Sequence, residues 1–233
     1  MENRKLINFT SLISIMWLIV SAMELTVFFG YKSLDNISLY ITTLLFSFIA
    51  PVYFIILSRY YRKNKIQKLS LKKSVKIIIF TLILEFIITL ILGSISSLFT
   101  AGSENANIKD LEFNSVSTFI IVAGTLLWDL AGEEGGKIAF FLFLERILPK
   151  SLFKNNNKLK YWICWLIDVL FFGILHLSAY SYDMVQCILV IGLPSIIYGY
   201  LWQKTENPKA LWIVHFLYDF TLVGLVVIGD LIG

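Results

Sequence analysis

Apolar residues in this chain neither alternate nor keep to one helical stripe. They run in long blocks separated by short polar stretches. Seven blocks can be drawn, at approximately 6–30, 37–58, 74–98, 117–147, 160–180, 184–203 and 208–230. A helix that crosses a bilayer needs about 20 mostly apolar residues, so each block is long enough to be a span. The pattern predicts an all-α polytopic transmembrane bundle of about seven spans. The fourth block is long for one span and contains Gly132, Gly135 and Gly136. Glycine permits a break, so this block is read either as one element or as a short piece followed by a helix starting near Glu133.

Composition agrees. Of the 233 residues, 58% are hydrophobic and 15% charged, and the mean hydropathy is +0.77. A soluble domain has about 45–50% apolar and about 25% charged residues, which excludes an ordinary cytosolic enzyme, a disordered chain and a disulfide scaffold. Cys164 and Cys187 lie in apolar blocks with no CxxC partner, so neither a disulfide framework nor a thiolate metal site is indicated. Arg4 and Lys5 precede a first block that is too long for a signal-peptide core and has no small-residue cleavage motif after it; it is expected to be a retained span.

The net charge of +4 matters less than its placement. Eight of the twenty basic residues fall between Arg59 and Lys76 with no acid among them. Between two apolar blocks this reads as a cytoplasmic loop, with no nucleic-acid partner. Arg146, Lys150, Lys154, Lys158 and Lys160 cluster after the fourth block, and Lys204 and Lys209 after the sixth. The 99–116 stretch is net acidic (Glu104, Asp110 and Glu112 against Lys109), and the 180–183 turn carries only Asp183. The alternation places the N-terminus in the cytoplasm and the C-terminus outside the cell membrane.

Ionisable residues inside spans cost about 2.5–3.5 kcal/mol each on insertion scales. This chain has Glu24, Glu85, Asp129, Glu133, Glu134, Lys137, Asp168, His176, His215 and Asp219 in its blocks, including both of its histidines. On a helix Lys137 is i+4 from Glu133 and i+3 from Glu134, so a self-neutralising ion pair would explain the triplet. Two adjacent carboxylates in a low dielectric also repel when both are ionised, which is one way a general base is prepared. Phe172 lies one turn before His176, and an intramembrane histidine often serves only a helix–helix hydrogen bond. His215 and Asp219 share a helix face at i,i+4; a local hydrogen bond would explain them, and so would a metal site. Glu134, His176, His215 and Asp219 would form a nitrogen–oxygen set acceptable to zinc. Taken together, the motifs point to one polar site in a bundle. One tension stands. At about 1.5 Å per residue, His176 falls near the outer end of the fifth block, whereas His215 falls roughly 10 Å from the inner end of the seventh.

Glu133-Glu134-Gly135-Gly136-Lys137, Phe172-x3-His176 and His215-x3-Asp219, in this order, resemble the EExxxR, FxxxH and HxxxB motifs of the CPBP family (Abi, or CAAX protease and bacteriocin-processing). The stretch from Leu193-Pro194 through Tyr198-Gly199-Tyr200 to Leu211-Trp212 is similar to the family's last two helices. The likeness covers roughly residues 117–225, so residues 1–116 are taken as N-terminal helices outside the family core and 117–233 as the core. Two positions depart. Ile138 stands where the family has arginine, with Lys137 one residue earlier and rotated by about 100° on the helix. Asp219 stands where asparagine is common, and an ionised aspartate cannot donate to an oxyanion.

The resemblance implies an intramembrane endopeptidase. Glu133, with Glu134 beside it, would activate water, His176 would hold or deprotonate that water, and His215 and Asp219 would face the scissile carbonyl. Phe172 and Lys137 would support them. No cofactor is expected, since no dense ligand motif such as HExxH is present; zinc is the alternative. The expected partners are the bilayer and a peptide or membrane-protein substrate. Relatives act on prenylated CAAX proteins in eukaryotes and on peptide precursors or bacteriocin-related targets in bacteria. A Lys-, Ile- and Asn-rich chain fits a low-GC bacterium, hence peptide or bacteriocin maturation or self-immunity. The rival is a non-catalytic membrane immunity or interaction protein of the same fold. A proton-coupled transporter ranks below both because no inverted repeat is visible.

Overall fold

The computed structural model describes residues 4–31, 34–103 and 116–232, with side chains at 4–31, 34–103 and 120–225. The acidic-loop residues Glu104, Lys109, Asp110 and Glu112 lie outside the described residues. Among those described, seven long helices follow in order: α1 (Arg4–Phe28), α2 (Asp35–Lys63), α3 (Leu71–Ser96), α4 (Val116–Ile147), α5 (Asn157–Ile174), α6 (Met184–Thr205) and α7 (Pro208–Ile232). Of these, α1, α2, α3 and α6 are long and apolar enough to cross a membrane. The other three carry most of the intramembrane charges, and the protein is a membrane protein of helical-bundle type.

Local chemistry sets the helix starts. The Asn156 side chain accepts hydrogen bonds from the Lys158 and Leu159 amides at 3.0 and 3.1 Å, and Asp183 accepts from the Gln186 amide at 3.0 Å; both satisfy amides that a helix leaves unpaired. Asn207 precedes Pro208 at the start of α7 and accepts from the Lys209 amide at 3.2 Å. Two helices contain π turns, Leu45–Ile49 in α2 and Cys187–Gly192 in α6.

The fourth block is one continuous helix, which decides for the first of the two alternatives over a break near Glu133. Its glycines serve close packing instead. A Cβ on Gly132 would meet the Phe46 carbonyl, one on Gly135 would lie 2.6 Å from the Ala50 carbonyl oxygen, and one on Gly136 would enter the Trp17 ring. Small residues let helix backbones approach where lipid supplies no hydrophobic drive. As a result α4 lies centrally, touching α1, α2, α5 and α7, while α3 packs on α6 and α7. One core unites both halves of the chain. Trp17 of α1 stacks on Phe140 and Phe172 at 6.2 and 6.4 Å between ring centroids, and Tyr53, Trp165, Tyr198 and Leu211 continue the cluster. The outer face of α3 leaves Val75, Ile79, Phe80, Ile83, Ile87 and Leu90 exposed, as a lipid-facing surface would.

The basic loops gather at one end. The Lys68 and Leu69 amides donate to the Thr205 carbonyl at 2.9 and 3.3 Å, and Lys68 pairs with Glu206 at 2.9 Å. Tyr60, Tyr61, Glu145 and Arg146 line a shared cavity with Leu6 and Ile7. At the other end, Tyr182 donates to Asp35 at 2.7 Å and Thr100 to Asp183 at 2.5 Å.

Candidate active site

The α4 segment Glu133–Lys137 crosses the middle of the bundle. Glu134 points inward and is wholly buried, and it is held from two sides: Lys137 forms an ion pair with its Oε1, and His215 Nδ1 lies 2.8 Å from the same oxygen. A carboxylate only accepts, so Nδ1 carries the proton and Nε2 faces the other way. On that side stand Glu133 Oε2 and Asp219 Oδ2, each 3.7 Å from Nε2. Both remain partly open, with side-chain exposures of 20% and 29% against 0% for Glu134. The adjacent glutamates therefore have different surroundings. One is enclosed in a neutralised pair, and the other borders a space that water can reach.

Lys137 lies between two aromatic faces, 4.3 Å from the Phe172 centroid and 4.5 Å from that of Tyr198. Its charge acts on Glu134 from the rotated position noted in the sequence. Ile138, where the arginine is missing, is a wholly buried core residue. Tyr198 in turn donates to Glu85 of α3 at 2.6 Å. Asp168 of α5 is also fully buried, with neither carboxylate oxygen hydrogen-bonded among the described residues, and lies within electrostatic reach of Lys137.

His176 sits just past the end of α5, in the turn that follows Ile174. Its ring folds back along the helix, with Nδ1 2.8 Å from the Phe172 carbonyl. A carbonyl only accepts, so Nε2 presents its lone pair. Phe172 packs on both imidazoles, at 4.6 Å from His176 and 6.1 Å from His215. This resolves the depth tension. His215 and Asp219, one turn apart on α7, both lie within electrostatic reach of His176. The backward fold of the His176 ring brings it onto the same Phe172 side chain that packs on His215.

One supporting residue had no assigned role in the sequence. Glu24 of α1 is wholly buried. It accepts from Ser38 Oγ at 2.6 Å and from the Ser178 amide and Ser178 Oγ at 3.1 Å each. Ser178 is two residues after His176, so Glu24 pins the turn that carries this histidine. Its position inside an apolar span marks it as needing a partner, but nothing in the sequence names a serine 154 residues away. Asp129 lies nearer the bundle surface, 3.4 Å from Ser47 Oγ.

The zinc alternative does not fit these side chains as placed. Glu134 Oε1 and His215 Nδ1 face each other, and Lys137 covers the same oxygen. Among the described residues no group of three or more His, Cys, Asp or Glu side chains is arranged to hold a metal ion.

Residues 116–221 match the family described as type II CAAX prenyl endopeptidase Rce1-like. Neither the curated proteins nor the solved structures gave a match.

Proposed function

Starting from residues 116–221 as a CPBP-family core with a CAAX-type intramembrane protease fold, we propose that this protein is an intramembrane endopeptidase in which Glu133 activates the attacking water. What carries the reading is the contrast between the two glutamates: Glu134 is locked by Lys137 and His215, while Glu133 is accessible and 3.7 Å from His215 Nε2.

In this mechanism a water between Glu133 and His176 attacks the scissile carbonyl carbon. Glu133 takes the proton, and the His176 Nε2 lone pair accepts a second hydrogen bond and orients the oxygen. His215, anchored through Nδ1 by Glu134, donates from Nε2 as imidazolium to the developing oxyanion. Collapse of the tetrahedral intermediate breaks the C–N bond, and Glu133 returns its proton to the departing amine. Asp219 orients His215 and takes no donor role while ionised. The apolar surround strengthens each of these interactions.

The substrate is a peptide or a membrane-inserted protein segment. The family description makes a prenylated CAAX peptide the first to try, and the composition adds peptide and bacteriocin precursors. The basic loops fit a cytoplasmic end of the bundle, with the N-terminus inside and the C-terminus outside.

The test is cleavage of such a panel by protein in nanodiscs, with Glu133→Ala and His176→Ala beside wild type and a chelator arm for each. Cleavage that both substitutions abolish and the chelator leaves intact is the expected result. Cleavage lost with chelator and restored by zinc would replace the metal-free mechanism. A biological phenotype that survives Glu133→Ala at normal expression would favour the non-catalytic immunity protein.

A further inference from the structure

Away from the site, the last three turns of α2 and the first turn of α7 enclose a groove of about 370 Å³, lined by Phe54, Ile55, Ser58, Arg59, Arg62 and Lys209. The spacing of Ile55, Ser58, Arg59 and Arg62 puts them on one helix face, and Lys209 closes the groove from α7. None of the three cations has an ion-pair partner among the described residues. The nearby Glu206 is occupied by Lys68 at 2.9 Å. Ser58 is only 4% exposed, yet its hydroxyl makes no hydrogen bond among the described residues. Thr10, Ser14 and Ser21, also buried in a helix, donate to the carbonyl four residues back.

The groove is held in shape. Gln67 donates to Asn207 at 3.1 Å, Asn207 to the Leu69 carbonyl at 3.4 Å, and the Lys68 amide to Thr205 at 2.9 Å. These bonds tie the stretch after α2 to the turn before α7. The end of α2, a helix long and apolar enough to cross a membrane, is where such a span would meet the headgroup layer.

We propose that this groove binds the phosphate of an acidic phospholipid. Arg59, Arg62 and Lys209 would contact the phosphate oxygens, Ser58 would donate its free hydroxyl, and Phe54 and Ile55 would lie along the first part of an acyl chain. Basic recesses between helices at a membrane surface are suited to anionic headgroups. The apolar floor and the position at the bilayer edge select a lipid over free phosphate.

The test is native mass spectrometry of the full chain in detergent, titrated with phosphatidylglycerol, with phosphatidylcholine, or with phosphatidylglycerol plus millimolar inorganic phosphate. Wild type is expected to retain phosphatidylglycerol over phosphatidylcholine, and inorganic phosphate is expected not to displace it. R59Q/R62Q/K209Q is expected to weaken retention about tenfold or more. K63Q/K72Q/K73Q, which removes the same charge from exposed lysines outside the groove, is expected to leave it unchanged. Ser58→Leu fills the groove without altering charge and is expected to lower retention; with single R59Q it decides the matter if the triple variant does not fold. Equal loss in both triple variants, equal retention of phosphatidylcholine, or displacement by inorganic phosphate would overturn the proposal.

Discussion

The N-terminal helices α1–α3 and the family-matched segment both bury carboxylates, but they treat them differently. Glu24 is enclosed and accepts three hydrogen bonds from two serines. Glu85 is buried and accepts from Tyr198 at 2.6 Å through Oε1, while its Oε2 has no hydrogen bond among the described residues. In the matched segment, Glu133 and Asp219 keep part of their surface open, and among the described residues each has its ion-pair contact with His215 Nε2 at 3.7 Å. A buried carboxylate that accepts from donors on other helices ties those helices together, and an accessible one is free to take a proton. The N-terminal helices thus act as a scaffold that reaches into the core, and the matched segment, beside its locked Glu134, carries the accessible carboxylates that the proposed mechanism uses.

Substitutions can break this division at several points. Glu133→Gln keeps size and removes the proposed base, so cleavage is expected to fall by about 10²–10⁴ with unchanged thermal stability. Loss of activity together with a lowered melting temperature would instead mark Glu133 as structural. Lys137→Met removes one of the two partners of Glu134, leaving His215, and is expected to destabilise the protein by about 1–3 kcal/mol. Denaturation in detergent would measure this, and a neutral result would detach Lys137 from the pair. Glu24→Ala orphans the Ser178 amide and is expected to cost about 1–3 kcal/mol. Activity should fall with it, while Glu24→Gln, which still accepts at one oxygen, should recover part of both. If Glu24→Ala left cleavage untouched, the link between the scaffold and His176 would be refuted.

Two smaller effects sharpen the same contrast. Gly135→Ala places a Cβ 2.6 Å from the Ala50 carbonyl oxygen and is expected to destabilise by about 1–3 kcal/mol. Gly124→Ala on the same helix meets nothing within 4 Å and is expected to be neutral or slightly stabilising, by up to about 1 kcal/mol. Similar melting curves for the two would remove the packing account of the glycines. Asp219→Asn should change cleavage least, within about tenfold, because His215 keeps its Glu134 anchor. A larger gain would show that an amide donor at this position acts on the oxyanion directly.

The motif residues were legible because each carries its signal locally. Glu133, Glu134, His176, His215 and Asp219 stand out as charges inside apolar blocks. The i,i+3 relation of Glu134 to Lys137 is likewise a matter of neighbours on one helix, and the structure pairs them. The glycines were ambiguous because a break in α4 and a close approach to α1 and α2 demand the same residue. Only Trp17, Phe46 and Ala50, brought from elsewhere, distinguish the two.

By itself the sequence determined that the chain is a helical membrane protein, where its seven helices lie, and which ionisable residues need an explanation. Hydropathy and helical periodicity are summed over near neighbours, so the order of residues suffices for these. The tertiary structure alone decided which glutamate is locked and which is open, what Glu24 holds, and that Phe172 packs on both histidines. Those outcomes depend on contacts between residues 81, 113 and 154 positions apart, His215 with Glu134, Tyr198 with Glu85 and Ser178 with Glu24. Such pairings are set by how close the glycines let the helices pack and which faces then meet, which no local pattern records.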